Sequence, residues 1–491
     1  MAIATGDGHP VSRRSFLRVS LEAAVVSAGV YGIVEQLATK PVRSEDLGLA
    51  LASASLPNEQ YLFSGTSTIT DNRVAVSVPP LYHEVITATL ATGTAASDLQ
   101  AAQTILEGVL SDLESEGLLT FTPAGIGIAV GWGLSYFQLP AVHSAAAATL
   151  PLDLTAPPAG GYEQSVLLPA VRFGTDPADV ILEDNDVVFV MASDSLTNIA
   201  TAYSAIFEGP AADLFDVTSI RKGFVDASQL GGTGQSLTKQ FAVANGVAGA
   251  ELIPDQAQLF LGFTSTQTAA LGPSTIANFE SLGMTNQTTD SYFAHGTTLA
   301  LSHLFEDLVS WYGNPYRQRV SFAFRPRIAQ RTPDGTLTIP ESMAQIEHPQ
   351  QINQDARRFG VVGHSASMQP VSRLQKATRG FAKGSAIPVR ADFNTVDNPF
   401  SYSANPTRDN YSSTPAAGVH FLAYVPTSFY FERLREAMDG PVGRNGPPAQ
   451  PPRPAPPWEA FVEAASISAS HRQNFLIPPR QHRSFPLAEL L

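Results

Sequence analysis

A strand followed by a helix occurs twice in each half of this 491-residue chain, and no other feature constrains its fold as strongly. The strands are short and apolar, and the helices carry one apolar face after a serine or aspartate start. We predict these strand–helix pairs at 81–117, 186–207, 290–313 and 418–440. Helices that pack against an antiparallel sheet satisfy such a series, so the predicted class is α+β, in two successive halves.

Two further strands are predicted at 125–137 and 257–266. A proline-rich stretch near the C-terminus is expected to be extended and exposed, and the apolar residues after it are expected to pack back on the body. The predicted segments are a signal segment at 1–45, an N-terminal α+β domain at 75–210, a C-terminal α+β domain at 211–440, a proline-rich loop at 441–457 and a C-terminal tail at 458–491.

Charge and cysteine content exclude several classes of function. The net charge is −14, from 44 acidic and 30 basic side chains, so no nucleic-acid partner is expected, because phosphate repulsion would be uncompensated. The chain has no cysteine, which excludes disulfides, zinc–thiolate sites, iron–sulfur clusters and cysteine nucleophiles. A metal site must then use histidine or carboxylates, and a haem ligand must be His, Met or Tyr.

The N-terminus has the pattern of an export address. Residues 12–17 read SRRSFL, and the pair Arg13 and Arg14 resembles the twin-arginine signal. The apolar stretch at 19–34 contains Glu22 and is too short and too charged for a stable membrane span. We predict export to an extracellular, periplasmic or cell-envelope location, and the alternative is an ordinary amphipathic helix after two chance arginines.

The stretch FGVVGHSASMQP, residues 359–370, admits two chemistries. Gly363 and Ser365 match the first part of the G-x-S-x-G elbow of hydrolases, with His420 available downstream as the base. However, Ser367 stands where the elbow has its second glycine, and Pro370 would disrupt the helix that must follow.

The second chemistry makes His364 a metal or haem ligand. It follows an apolar strand and precedes a segment that does not favour a regular helix, so it would be held rigidly towards a ligand. His295 and His303 lie eight residues apart, which is not the usual spacing of a zinc pair on a helix. The residues alone leave both chemistries open.

Several motifs resemble those of the dye-decolorising (DyP-type) haem peroxidases. The stretch GFVDA (223–227) resembles the family's G-x-x-D-G and supplies Gly223 and Asp226. GHSASMQPVSR (363–373) resembles its histidine segment and keeps His364 and Arg373. ATRGFAKG (377–384) resembles its R-R-G motif and supplies Arg379. The resemblance covers residues 80–440.

The resemblance implies a fold of tandem ferredoxin-like units with antiparallel sheets, of the dimeric α+β barrel type. It implies haem b as cofactor, with His364 as the iron ligand and Gly223, Phe224 and Arg373 beside the cofactor. It also implies Asp226 and Arg379 as catalytic residues, although Asp226 has the alternative of capping local backbone N–H groups. Asp392 and Asp409 are two candidate acceptors for the second imidazole N–H of His364, between which sequence does not choose.

This chain departs from the family pattern at Ala227, Ala366 and Thr378. From the resemblance as a whole and from the export signal, we expect an exported haem-dependent peroxidase that reduces hydrogen peroxide with a small aromatic or organic donor. The alternatives are a haem-binding or haem-handling protein of the same fold with little turnover, and a relative that has lost haem and serves as a binding protein. Whether the chain forms a homo-oligomer stays open.

Overall fold

The computed structural model describes most of the chain from residue 58 to the C-terminus. The described residues are 58–60, 67–71, 74–115, 125–226, 234–263, 279–324, 350, 351, 354, 358, 363–368, 370–378, 380–439 and 466–491. The predicted signal segment at 1–45 and the predicted proline-rich loop at 441–457 lie outside them. Within this part of the chain, no helix is long and apolar enough to cross a membrane.

Short strands and helices alternate along the described residues. The strands are β1 (Ser67–Asp71), β2 (Val74–Val78), β3 (Tyr82–Leu90), β4 (Ile126–Trp132), β5 (Leu152–Asp153), β6 (Gln164–Ser165), β7 (Ile181–Leu182), β8 (Val187–Ser193), β9 (Phe215–Phe224), β10 (Thr297–Glu306), β11 (Val389–Arg390), β12 (Phe393–Thr395), β13 (Tyr402–Ser403), β14 (Gly418–Val425) and β15 (Ile467–Ile477). The α-helices are α1 (Ala96–Ser115), α2 (Leu134–Phe137), α3 (His143–Thr149), α4 (Leu196–Tyr203), α5 (Leu237–Ala244), α6 (Phe279–Leu282), α7 (Leu308–Gly313), α8 (Tyr316–Ala323), α9 (His364–Met368) and α10 (Ser428–Asp439).

The first half folds as one ferredoxin-like unit. Its chain order is β3, α1, β4, β8, α4, β9, and its strand order in the sheet is β9-β3-β8-β4, with every neighbouring pair antiparallel. The predicted cap of α4 is present, since the side chain of Ser195 accepts a hydrogen bond from the backbone N–H of Asn198. Each split strand–helix–strand connection places its helix on the same outer face of the sheet.

The second half repeats this arrangement. The strand order is β12-β14-β10-β15, again antiparallel, and α10 connects β14 to β15. The two sheets join at both edges, through Asn394 beside Phe224 and through Leu476 beside Trp132. Eight strands therefore close into one barrel, and the predicted fold of tandem ferredoxin-like units with antiparallel sheets is confirmed.

The fourth strand of the second unit comes from beyond the predicted domain limit at 440. β15 lies within the segment that we assigned to a C-terminal tail, and it pairs with β10 along its whole length. Local sequence did not show this role, because the partner strand lies about 170 residues earlier in the chain. The other domain limits stay predictions.

Two predicted strands are wrong in part. The stretch 257–266 contains no strand in its described residues 257–263, where Gly262 has a left-handed φ of 90° that breaks extended structure. The strand predicted at 125–137 ends at Trp132, and α2 follows. Gly133 marks this end, since a Cβ there would lie 2.0 Å from the carbonyl oxygen of Asn185.

Strand alternation divides the apolar residues between the barrel interior and its outer faces. On β14, Leu422 and Tyr424 belong to the interior cluster, whereas Ala423 packs outward against the helices of the second unit. The outer face of the first unit carries the largest cluster, beneath α1 and α4. The outer layer of the second unit, between sheet and helices, is the one that contains a cavity.

Candidate functional site

A cavity of about 270 Å³ lies between the outer face of the second sheet and the helices α7 to α10. Most of its wall is apolar, and a few polar groups converge on it, as is usual for small-molecule sites. The apolar lining comprises Leu259, Leu261, Phe263, Leu304, Trp311, Phe322, Ala323, Phe324, Met368, Pro388, Val419, Phe421, Ala423, Phe431, Leu434, Met438, Ile467 and Ala469.

The alternation of side chains along a strand determines which residues of the sheet line the cavity. On β10, Ser302, Leu304 and Glu306 face the cavity, and on β14 every second residue from Val419 to Ala423 does. Residues 257–263, part of the strand predicted at 257–266, form a loop that supplies Leu259, Leu261 and Phe263 to the same cavity. These residues are therefore part of the site and not of the sheet.

His364 is the imidazole on the helix side. It begins α9, a helix of five residues that ends before Pro370, so the segment is more regular than we predicted. Gly363 permits this position, because a Cβ there would lie 2.4 Å from the carbonyl oxygens of Ser321 and Phe324. Burial, together with the nearby charges of Arg390 and Arg435, lowers the pKa of His364 to about 3. The imidazole is therefore neutral at physiological pH.

Arg390 and Asp392 form the polar pair on the sheet side. Arg390 lies opposite Ala423 of β14, and its guanidinium is 3.8 Å from the carboxylate of Asp392. Asp392 also accepts a hydrogen bond of 3.1 Å from the backbone N–H of Leu422. Burial raises the pKa of Asp392 to about 6, although Arg390 and that hydrogen bond act in the opposite direction. The carboxylate can thus exchange a proton near neutral pH.

A second group of charged side chains in the cavity lining consists of Asp176, Arg435 and Arg472. Asp176 forms an ion pair with Arg472 and lies 3.4 Å from Arg435. Both guanidinium groups lie over the ring of Phe173, at 5.1 Å for Arg435 and 4.6 Å for Arg472. These mutual contacts hold the two arginines in place.

The structure separates Asp226 from this cavity. Asp226 is buried, it is absent from the cavity lining, and its Oδ2 accepts a hydrogen bond of 3.3 Å from the backbone N–H of Thr238, at the start of α5. That contact corresponds to the capping alternative that the sequence also offered. The catalytic role of Asp226 stays a prediction.

Gly223, Phe224 and Arg373 are also absent from the cavity lining. Gly223 lies on β9 beside Phe393, and Phe224 packs its ring against that of Phe241 at 4.8 Å. Arg373 donates a hydrogen bond of 2.9 Å to the carbonyl oxygen of Gly384. Arg379 lies outside the described residues. Among the described residues that the resemblance implies as cofactor-binding or catalytic, His364 lines the cavity, and the cofactor-binding roles of Gly223, Phe224 and Arg373 stay predictions.

Sequence reasoning missed Arg390 and the position of Asp392. Asp409, the other candidate acceptor, accepts a hydrogen bond of 2.6 Å from Ser403 and pairs with Arg408 away from the cavity. The sequence offers one local pattern that could have indicated them, an arginine and an aspartate two residues apart directly after the apolar stretch 386–389. Such a pattern shows that both side chains share one face of a strand, but not which face meets a cavity.

The histidine that the hydrolase alternative requires does not lie beside Ser365. Ser365 lines the cavity, but His420 points from β14 to the barrel interior, where its ring contacts those of His303 and Phe393 at 5.1 Å. The sheet lies between the two side chains. Ser365 therefore cannot form a nucleophile–base pair with His420.

The cavity does not fit a bare metal ion held by side chains alone. Within the described part of the chain, no group of three or more His, Asp or Glu side chains is placed to hold a metal. A neutral imidazole in a mainly apolar cavity can instead be the protein ligand of a metal that an organic group carries.

Comparison with known proteins gives one family and several similar folds. A model described as "Family of unknown function (DUF7405)" matches residues 80–479. No curated protein matches the chain.

Among solved structures, the chain is similar to the encapsulated DyP-type peroxidase from Mycobacterium smegmatis, at 12% identity, with 87% of this chain and 98% of that chain covered and a TM-score of 0.48. It is similar to DtpA from Streptomyces lividans at 14% identity, with 87% and 96% covered and a TM-score of 0.48. It is also similar to a DyP-type peroxidase from Cellulomonas bogoriensis at 15% identity, with 87% and 94% covered and a TM-score of 0.44.

Proposed function

This chain belongs to the family of unknown function DUF7405, so its chemistry must come from its own site, and we propose that it is a haem-dependent peroxidase acting with an organic or aromatic electron donor. One observation carries the proposal. A single, mainly apolar cavity has the neutral imidazole of His364 on its helix side and the pair Arg390–Asp392 on its sheet side.

The residues present fit haem. Its apolar faces would lie against side chains such as Phe263, Phe421 and Leu434, and its iron would be held by one ring nitrogen of His364. That nitrogen must be unprotonated to bind a metal, and burial keeps it so. When bound, haem supplies the iron-centred redox chemistry with which peroxide is reduced.

Asp392 and Arg390 would handle the protons and charge of hydrogen peroxide. As a carboxylate, Asp392 takes the proton from one peroxide oxygen and returns it to the other, which then leaves as water. The guanidinium of Arg390 lies beside this carboxylate and stabilises negative charge that develops on the departing oxygen. Because both side chains are partly buried, at 24% and 20% exposure, both effects are stronger than they would be in bulk water.

A haem-binding protein with little turnover is the second candidate. It is favoured by the position of Asp226. The carboxylate that the resemblance implies as catalytic accepts a hydrogen bond at the start of α5 and does not line the cavity. The two candidates differ in peroxide turnover and not in haem binding.

The first experiment is to add haem to the purified full chain and record the visible spectrum of the wild type, His364→Ala and His143→Ala. We expect a sharp Soret band of His-ligated haem in the wild type and in the His143 control, whose side chain is exposed at the start of α3. The band should be lost or shifted in His364→Ala. Peroxide turnover then separates an enzyme from a haem-binding protein, and an unaltered band in His364→Ala would refute the assigned ligand.

We further propose that Arg13 and Arg14 direct export by the twin-arginine route. Both lie outside the described residues, and the proposal rests on the sequence SRRSFL and the apolar stretch after it. Replacement of both arginines by lysine should retain the protein inside the cell in a host with this route. Unchanged export of the double-lysine variant would reject it.

A further inference from the structure

Glu306 is a buried carboxyl in the cavity wall that the peroxidase proposal does not use. It is the last residue of β10, opposite Ile467 of β15, and it is 6% exposed. Its Oε2 atom is buried and has no hydrogen-bond partner among the described residues. A buried polar atom without a partner costs free energy, so this position is explained if a ligand supplies the partner.

The surroundings of Glu306 keep it uncharged. The nearest cavity-lining residues on the sheet are the apolar Leu304, Val419, Ile467 and Ala469. Burial raises the pKa of Glu306 to about 8, and no neighbouring charge contributes to this shift. At neutral pH the side chain is therefore a carboxylic acid.

The charged groups of the cavity lie elsewhere along the wall. Ser302, four residues before Glu306 on the same strand, marks the row of Arg472, at roughly 13 Å from Glu306 by strand geometry. Arg472 and Arg435 are engaged with Asp176, and Asp392 is engaged with Arg390. The remaining titratable group in the lining is His364, on α9. None of these is placed to compensate an anion at the Glu306 end.

A protonated carboxyl donates one hydrogen bond and accepts others. An aromatic alcohol matches it, because its hydroxyl group both accepts and donates, while its ring packs on the apolar wall. An anionic ligand matches it poorly, because the anion would be desolvated without a cation, and would be repelled once Glu306 ionises.

We propose that Glu306 determines specificity at one end of the cavity, where it binds the hydroxyl group of an uncharged aromatic alcohol and disfavours anionic aromatic ligands. The inference rests on the proposed function only in making this ligand the electron donor. The binding itself does not require haem.

The test is equilibrium binding of two probes to the full chain, with and without added haem. The probes are 2-naphthalenemethanol, whose hydroxyl group does not titrate in this range, and 2-naphthoate, an anion of similar size. The variants are Glu306→Leu, which removes both hydrogen bonds, and Glu306→Gln, which keeps a donor and an acceptor. Asp397→Asn is the matched control, since burial also raises the pKa of Asp397, to about 7, but it lies beside Lys222 and outside the cavity lining.

We expect Glu306→Leu to bind the alcohol about tenfold more weakly than the wild type, and Glu306→Gln and Asp397→Asn to lie within about threefold. Between about pH 7 and about pH 9, across the pKa of about 8, the wild type should lose affinity for 2-naphthoate while Glu306→Gln does not. Equal affinity of the wild type and Glu306→Leu for the alcohol would overturn the inference. So would a pH-independent preference between the probes in the wild type. Loss of haem binding without these changes would reject the peroxidase proposal and leave the Glu306 subsite standing.

Discussion

At the scale of single residues, two aspartates lie in different surroundings, one buried and one partly buried. Asp226 has a backbone N–H at the start of α5 as its hydrogen-bond donor, whereas Asp392 lies in a cavity beside one guanidinium. Burial raises the pKa of Asp392 to about 6, so the carboxylate predominates at neutral pH and the protonated acid predominates below about pH 6. The fold thus places Asp392, and not the aspartate of the GFVDA stretch, in the wall of the cavity.

The first prediction concerns Asp392→Asn. Under the proposed function, in which Asp392 is the base for peroxide, the variant should bind haem but react with peroxide about 10²- to 10⁴-fold more slowly. In the wild type the rate should fall as pH drops through about 6, because Asp392 becomes protonated, and this dependence should vanish in the variant. Stopped-flow spectroscopy with Asp409→Asn, a buried aspartate outside the cavity, as control would check it. A variant as fast as the wild type would exclude Asp392 as the base.

At the scale of elements, the C-terminal residues after β15 anchor helix α1. Arg483 is buried and forms ion pairs of 2.9 Å with Glu107 and 2.6 Å with Glu114, both on α1. Its carbonyl oxygen accepts a hydrogen bond of 2.9 Å from the indole N–H of Trp132. One arginine thus links the C-terminus to both a helix and a strand of the first unit.

We expect Arg483→Met to lower the free energy of unfolding by about 2 kcal/mol, because Glu114 would lose its shorter ion pair and keep only the one of 3.4 Å with Arg480. Lys239→Met is the control, since its partner Asp255 is 64% exposed and the loss of this pair should cost about 1 kcal/mol or less. Urea denaturation of both variants measures the difference. Equal losses for the two would show that the Arg483 contacts contribute nothing beyond a surface pair.

At the scale of the whole molecule, the barrel interior contains three buried histidines on neighbouring strands of the second unit. His303 and His471 share the hydroxyl group of Ser470, at 2.6 and 3.0 Å, and the rings of His303 and His420 lie 5.1 Å apart. Burial lowers the pKa of all three, and nearby Arg221 of the first unit acts in the same direction. All three must be neutral for the barrel to close around them.

This cluster predicts that stability falls with acidification. Unfolded histidine has a pKa of about 6.5, whereas that of folded His471 is about 4 and those of His303 and His420 are lower than usual. Below pH 6.5 the unfolded state therefore binds more protons, and unfolding should become easier by up to about 1.4 kcal/mol per pH unit and histidine. Thermal unfolding of the wild type and His420→Phe between about pH 7 and pH 4.5 measures this. An identical pH dependence in both proteins would exclude His420 from the effect.

The organisation of the fold was largely predictable. The strands β8 and β14 and the helices α1 and α10 begin and end within two residues of their predicted limits, because each follows from local apolar periodicity. β3 and α4 begin within one residue of theirs but end three and four residues earlier. The strand prediction for 257–266 was wrong over its described residues 257–263, because their alternating apolar side chains face a cavity from a loop and not from a sheet. β15 was not recognised as part of the second unit, because its strand pairing is long-range.

By itself, the sequence determined the α+β class, the tandem units, the acidic and cysteine-free chemistry and the choice of His364 as a candidate ligand, since these depend on composition, periodicity and one local motif. Only the tertiary structure decided which side chains share a cavity with His364. Arg390 and Asp392 line it because β11 and the residues after it pair with β14, while Asp226 and His420 lie outside its lining, in a helix cap and in the barrel interior. Those relations are set by strand register and by the face of the sheet, which no short stretch of sequence specifies.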